Sequence, residues 1–247
     1  MLSYIKQGDC LELMKDIPDG SVDMILCDLP FQVTQNKWDK LINTQTLWRE
    51  YNRVIKHNGA ILLFAIPPFS SIISNEAIYM FRYSWYWHKP HTGQLNAKRM
   101  PLKNVEEILV FYHKQPTYNP QFSIGEPYTV SRKNYKGSSC YGSQKDHSTV
   151  NNGFRYPTQI LDFKVEQGGG CKRLHPTQKP IALCEYLIKT YTNEGEVVLD
   201  NCMGSGTTCI AALNTHRNYI GFELNEDYFQ IAHNRINERI KELCQIG

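Results

Sequence analysis

Metal-ligand spacing is missing from this chain. Its eight cysteines (Cys10, Cys27, Cys140, Cys171, Cys184, Cys202, Cys209 and Cys244) form no Cys-x-x-Cys pair, and no histidine spacing completes a zinc pattern. Several lie in apolar runs, where a free thiol behaves as a small hydrophobe. A reducing cytoplasm, free thiols and no metal are therefore expected. Long apolar runs are missing too. None approaches the roughly 20 residues of a membrane helix. The opening Met1-Leu2-Ser3-Tyr4-Ile5-Lys6-Gln7-Gly8-Asp9 is not built like a signal peptide, so no membrane partner is expected. Internal repeats are absent, and the net charge is only +3.

What is present suits a folded α/β protein. At 247 residues, 41% hydrophobic and 21% charged, the chain can form one large domain or a domain with a sizeable insertion. The charge is unevenly spread. Residues 82–180 hold 15 Lys+Arg against 6 Asp+Glu, and the remainder is acidic. A basic middle on an acidic body fits one face that meets a polyanion, although a solvated basic face has the same composition.

The apolar run Val22 to Cys27 reads as a buried strand and delivers Asp28-Leu29-Pro30-Phe31 to its carboxyl end. Ligands bind at that edge of open α/β sheets. An acceptor-only carboxylate, a stiff proline and an aromatic plate suit a flat ring with an exocyclic amine. Taken alone, the tetrapeptide reads equally as an acidic turn.

Further strands are expected at 3–7, 60–66, 83–87, 105–112, 196–199 and 218–222. Helices are expected at 44–56, 69–80, 180–191, 209–213 and 225–240, with Asn58-Gly59 ending the first and Pro180 in the first turn of the third. Residues 32–43 and 88–104 read as loops. From 113 to 170 periodicity fails, and tyrosines interleave with Arg132, Lys133 and Lys136, the composition that grips nucleic acid. So long a stretch is either an inserted recognition element or a lid.

A second constellation follows. The strand at 196–199 runs into Asp200 and then Gly204-Ser205-Gly206-Thr207, before a helix. Glycines let backbone approach a ligand, and helix N–H groups satisfy acceptors. Glu223 ends the next strand, where an acid can hold ribose hydroxyls. With Asp9, three acids at three strand ends can ring one nucleoside. A dinucleotide would require a third glycine where Cys209 stands, so S-adenosylmethionine fits better. In the third element, His175-Pro176-Thr177-Gln178-Lys179-Pro180, Thr177 and Lys179 can meet a carboxylate at a helix start, or simply form a helix entry.

In this order the three elements resemble the β class of amino-group DNA methyltransferases of bacteria and phages. These place an Asp-Pro-Pro-Tyr motif first, then a recognition region, then His-Pro-Thr-Gln-Lys-Pro, then Asp-Pro-Phe-x-Gly-x-Gly-Thr-Thr. The resemblance covers nearly the whole chain. Leu29 replaces a proline that acts through its carbonyl, and Asn201-Cys202 replaces Pro-Phe and removes one apolar cofactor contact.

The resemblance implies a Rossmann-like, doubly wound, circularly permuted α/β methyltransferase fold, with the N-terminal strand beside the C-terminal ones. Residues 1–112 and 171–247 would form the catalytic domain and 113–170 the target-recognition insertion. It implies transfer of methyl from S-adenosylmethionine to the N6 amine of a flipped adenine in duplex DNA, with Asp28, Leu29, Pro30 and Phe31 catalytic. Asp9, Cys10, Thr177, Lys179, Asp200, Gly204, Ser205, Gly206, Thr207 and Glu223 would bind the cofactor. Lys89, Lys98, Arg99, Arg132, Lys133 and Lys136 would contact DNA. An aspartate at position 28 leans towards adenine in this family, and cytosine N4 is the runner-up. A DNA-binding relative without catalysis is a different class of reading, and a nicotinamide dehydrogenase a remote one. Without a Pro-Cys pair, a cytosine carbon-5 methylase lacks its nucleophile. A homodimer and a cognate restriction endonuclease are compatible partners, and the residues select neither.

Overall fold

The computed structural model describes residues 3–30, 42–89, 97–132, 146–165 and 178–246. Two compact units divide them: 1–119 with 159–247, and 120–158.

The larger unit is built on one eight-stranded sheet. Its strands are β1 (Tyr4–Gln7), β2 (Val22–Asp28), β3 (Ile55–Ala65), β4 (Phe81–His88), β5 (Val105–Phe111), β10 (Ile160–Asp162), β11 (Val197–Asp200) and β12 (Asn218–Glu223). Their order is β1-β12-β11-β2-β3-β5-β4-β10. Every pairing is parallel except those of β5, which runs against both β3 and β4. The N-terminal strand pairs with β12, Tyr4 opposite Ile220, which is the permuted closure expected from the sequence.

Helices cover both faces, so the central strands are apolar on both sides and read as continuous runs rather than alternations. Ile25 and Cys27 of β2, with Ile61 and Leu63 of β3, pack among Met14, Leu47, Tyr51 and Ile73. That face carries α1 (Cys10–Leu13), α2 (Thr44–Val54) and α3 (Phe69–Glu76). Met24, Leu26, Leu62 and Phe64 face the other way, towards Leu183, Leu187, Ile210 and Ala232. Those residues belong to α4 (Ile181–Tyr191), α5 (Thr207–Asn214) and α6 (Glu226–Ile246).

Several boundaries differ from the sequence reading. β3 starts at Ile55, directly at the end of α2, instead of after Asn58-Gly59. Gly59 therefore lies inside the strand, where a Cβ would meet the Asp23 carbonyl oxygen at 2.8 Å. Its glycine answers a close backbone approach rather than a helix end. α3 stops at Glu76 because Ala77 leaves the helical conformation (φ −122°, ψ 37°), and a separate turn follows in which the Met80 and Phe81 N–H groups donate to the Ala77 carbonyl at 2.9 and 3.0 Å. Pro180 precedes α4 as its extended N-cap, and α5 begins two residues early, at Thr207.

The smaller unit is not structureless. It pairs β6 (Ser123–Ile124) with β9 (Phe154–Arg155), and β7 (Tyr128–Arg132) with β8 (His147–Asn151), all antiparallel. Phe122 packs edge-on against Tyr156 and Phe154, with centroids 4.8 and 5.9 Å away. The Arg155 guanidinium lies over the Tyr128 ring at 4.6 Å. Such short strands escape a periodicity search because two to five residues hold too few alternations.

Candidate active site

Parallel strands bring their carboxyl ends to one edge. Asp28, Asp200 and Glu223 terminate β2, β11 and β12 there. Gly8 and Asp9 follow β1 at the same edge, with the Gly8 N–H donating to the Glu223 carbonyl at 2.9 Å. Because β5 is reversed, its amino end, with Glu106, reaches this edge beside Lys89 at the end of β4.

Strand parity then selects one face. Asp28 follows Met24 and Leu26, Glu106 precedes Ile108 and Val110, and Lys89 follows Trp85 and Trp87; the apolar members of all three series pack on the α4 side. Lys179, just ahead of α4, enters from above. Its ammonium lies 2.8 Å from Asp28 Oδ2 and 2.7 Å from Glu106 Oε1, and 4.9 Å from the centroid of Phe64. Glu106 Oε2 pairs in turn with Lys89 Nζ at 2.9 Å. Two carboxylates and two ammoniums thus alternate along the edge, with no net charge.

Burial dominates the electrostatics. It pushes the Asp28 carboxyl up to about 6, and the neighbouring Lys179 ammonium offsets only part of that. Burial acts against the Lys179 ammonium too, but Asp28 and Glu106 outweigh it and raise its pKa. Burial would also raise Glu106, yet Lys179 and Lys89 hold it below the ordinary carboxylate range. Asp28 is the most accessible of the three, its side chain 23% exposed against 11% for Lys179 and 9% for Glu106. Among the described residues its Oδ1 has no hydrogen-bond partner. A buried, unpaired carboxylate oxygen is a costly feature, and it suits a site that awaits a donor.

The second acid group is more occupied. Asp200, 5% exposed, accepts the Cys202 N–H on Oδ1 at 3.1 Å. Burial drives its carboxyl up to about 7 against hydrogen bonds from Thr208, Cys202 and Cys27. Glu223 accepts the Gly204 N–H at 2.9 Å and the Asn225 N–H at 2.8 Å, one on each oxygen. It thereby pins the turn of Gly204 (φ +51°) and Gly206 (φ +80°). Asp9 caps α1, accepting the Leu11 N–H at 2.8 Å. Ser205 Oγ accepts from Arg235 at 2.9 Å, and the buried Thr207 Oγ1 has no partner among the described residues. Left-handed glycines, an orphaned hydroxyl and acids at three strand ends fit a nucleoside with hydroxyls and an amino group.

Asn201, unexpected at its position, is fully engaged. Its Oδ1 accepts from the Tyr51 hydroxyl at 2.6 Å, and its Nδ2 points at the Cys10 and Cys202 sulfurs at 3.6 and 3.5 Å. Cys10 therefore sits beside the turn, buried at the start of α1. Leu29 is buried and Pro30 half-buried beside Asp28.

Lys179 is found at the catalytic carboxylate of the sequence reading rather than at a helix-start anion. Lys89 is held by Glu106 over the Trp87 ring, at 5.2 Å from its centroid, while Lys98 and Arg99 are exposed. Phe31, Lys133, Lys136 and Thr177 lie outside the described residues, as does the side chain of Arg132. Glu106 was missed by sequence reasoning. Its signal was legible: in Val105-Glu106-Glu107-Ile108-Leu109, alternation forces one of two adjacent acids inward. Among the described residues no metal-ligating cluster forms, and no helix is long and apolar enough to cross a membrane.

Comparison with known proteins agrees with this geometry. The chain is 26% identical to the type II methyltransferase M.HpaI of Haemophilus parainfluenzae, covering 93% of this chain and 73% of that protein. It is 28% identical to the DNA adenine methyltransferase YhdJ of Escherichia coli, covering 94% and 82%. Among solved structures, the M1.HpyAVI–SAM complex superposes with a TM-score of 0.66 at 26% identity, covering 96% of this chain and all of that one. The cytosine-N4-specific PvuII DNA methyltransferase superposes at 0.67, with 17% identity, 97% of this chain and 91% of that one covered, and shares the fold. The sheet is thus the Rossmann-like one of these methyltransferases. The N6/N4 DNA methylase family model matches residues 22–234, from the first residue of β2 to deep within α6, and the chain belongs to that family.

Proposed function

We propose that the protein methylates the N6 amine of adenine in duplex DNA, at a base turned out of the helix into the edge that Asp28 occupies. S-adenosylmethionine is the cofactor. Held there, it would supply a sulfonium methyl as the electrophile for the amine nitrogen, with the sulfur keeping the electron pair of the carbon–sulfur bond. Asp28 Oδ1 and the Leu29 carbonyl accept the two amine hydrogens, which turns the nitrogen lone pair towards the methyl. Asp28 then takes the proton that nitrogen sheds as it becomes positive, and passes it to solvent. Its raised pKa makes it a better base than an exposed aspartate. Phe31 stacks on the base. Positioning and preplaced acceptors supply the acceleration.

We assign cofactor contacts to Asp9, Cys10, Asp200, Gly204, Ser205, Gly206, Thr207 and Glu223, and the amino-acid tail to Thr177. Phosphate contacts go to Lys98, Arg99, Arg132, Lys133 and Lys136, and target recognition to 113–170, around the 120–158 unit. The expected setting is the cytoplasm, with the DNA. The observation that carries the reading is the buried Asp28 Oδ1, without a hydrogen-bond partner among the described residues, on a side chain that is 23% exposed at the carboxyl edge. The relative named a DNA adenine methyltransferase supports adenine over cytosine.

The test is transfer of labelled methyl to unmethylated duplex DNA by wild type and Asp28→Ala, with nucleoside mass analysis. N6-methyladenine that falls at least about a hundredfold in the variant is expected. N4-methylcytosine as the sole product would overturn the adenine assignment, and undiminished transfer by the variant would overturn the role of Asp28.

A further inference from the structure

We propose that Glu106 is a positioning residue for methyl transfer: it shares the Lys179 ammonium with Asp28, and this sharing keeps the Asp28 carboxylate charged at the site yet basic enough to take the amine proton. The inference rests on the reading of Asp28 as the catalytic carboxylate.

The geometry argues for sharing rather than for a simple ion pair. Lys179 is equidistant within 0.1 Å from the two carboxylates, at 2.8 and 2.7 Å, and only 11% of its side chain is exposed. An ammonium given wholly to Asp28 would hold it as a weak base. With no ammonium, burial would protonate Asp28 at neutral pH and remove the acceptor. Glu106 sets the intermediate case, and Lys89, 2.9 Å from its other oxygen, keeps Glu106 itself ionised and in place. When Asp28 takes a proton during turnover, Lys179 still has a carboxylate partner, so no buried charge is left unpaired.

Besides burial, Asp28 answers to Lys179, Glu106 and Lys89. Its own charge reaches neighbouring elements, where it raises the Asp200 carboxyl on β11, the Cys27 thiol on β2 and the Cys184 thiol on α4. Burial pushes both thiols far from neutrality, Cys27 to about 12, so they stay protonated. Asp200 is expected to titrate near pH 7, close to Asp28, and its contribution is common to wild type and the variants below.

The experiment is the pH profile of kcat/KM for methyl transfer to duplex DNA by wild type, Glu106→Gln, Lys179→Met and Asp28→Ala, alongside the titration of carboxyl-labelled Asp28 by 13C NMR. Glu106→Gln removes a like charge and leaves Lys179 to Asp28. Its acid limb, and the NMR titration, should move to lower pH by about one unit, with a lower plateau kcat. Lys179→Met should move both to higher pH. Opposite shifts cannot come from general loosening of the site, which lowers the plateau without separating the limbs. Should Glu106→Gln fail to fold, Glu106→Asp keeps the charge but withdraws it by one methylene, and a smaller downward shift is expected. An unshifted Asp28 titration in the Glu106 variant, or shifts of the same sign in both variants, overturns the proposal. If Asp28→Ala remains active, the catalytic reading fails; if it is inactive while the Glu106 limb stays put, only the sharing role fails.

Discussion

Asp200 is a residue whose function and stability pull in opposite directions. Its carboxyl is buried at the end of β11 and titrates near pH 7, against an ordinary value of 3.8. A carboxyl raised in the folded state contributes fully below the unfolded pKa and loses that contribution as pH rises through the folded one. Ionised Asp200 therefore weighs against the apo fold at pH 8, by on the order of 4 kcal/mol as an upper bound from the shift of 3.8 to about 7. Asp200→Asn keeps an acceptor for the Cys202 N–H and removes the charge. Without cofactor it should melt at the same temperature as wild type near pH 4 and progressively higher as pH rises to 8, while its affinity for S-adenosylmethionine falls. Melting curves across that range, with calorimetric titration of the cofactor, check both halves. A variant that melts lower at pH 8 would mean that the carboxylate's hydrogen bonds outweigh its desolvation.

At the scale of elements, the turn of Gly204 and Gly206 depends on how closely β12 approaches α5. Gly221 faces α5, and a Cβ there would meet Met203 Sδ at 2.5 Å, Cys209 Sγ at 2.8 Å and Ile5 Cγ2 at 3.0 Å. Gly221→Ala should cost about 1–3 kcal/mol as overpacking. It should also weaken cofactor binding, because Met203 belongs to the turn that Glu223 pins. Urea unfolding reads the first effect, and an unchanged midpoint would show that the two sulfur side chains move aside freely. Long, strongly patterned elements such as β2, α2 and α4 were legible in the sequence, as was their order along the chain. The start of β3 was not, because Asn58-Gly59 is a stop signal for a helix and an allowed bend in a strand, and pairing with β2 decides between them. The same limit applies to the site. The acids at strand ends could be found by eye, but the ion pair from Lys179 to Glu106 depends on β5 running antiparallel, which no local pattern states.

Across the whole molecule, the 120–158 unit contributes no described strand to the eight-stranded sheet. Within the larger unit, the two residues that flank 120–158 are held by backbone bonds: the Asn119 N–H donates to the Thr190 carbonyl at 2.8 Å, and the Tyr86 N–H donates to the Gln159 carbonyl at 2.7 Å. Asn119 also donates through its side chain to the Lys189 and Thr192 carbonyls, at 3.2 and 3.1 Å, and the Gln159 amide to the Ser84 carbonyl at 3.0 Å. Among the described residues, the eight-stranded sheet and its two cores contain nothing from between Asn119 and Gln159. Replacing 120–158 with a flexible glycine–serine linker of about 10 residues should therefore leave cooperative unfolding and S-adenosylmethionine affinity intact. Methyl transfer to duplex DNA should be lost if this unit carries recognition, and residual DNA binding should become less steeply salt-dependent as phosphate contacts disappear. Binding isotherms at several salt concentrations, with transfer assays on the same DNA, make the comparison. A linker variant that still methylates the same sites at the wild-type rate would move recognition out of 120–158 and into the larger unit, where Lys98, Arg99 and Lys103 are exposed ahead of β5.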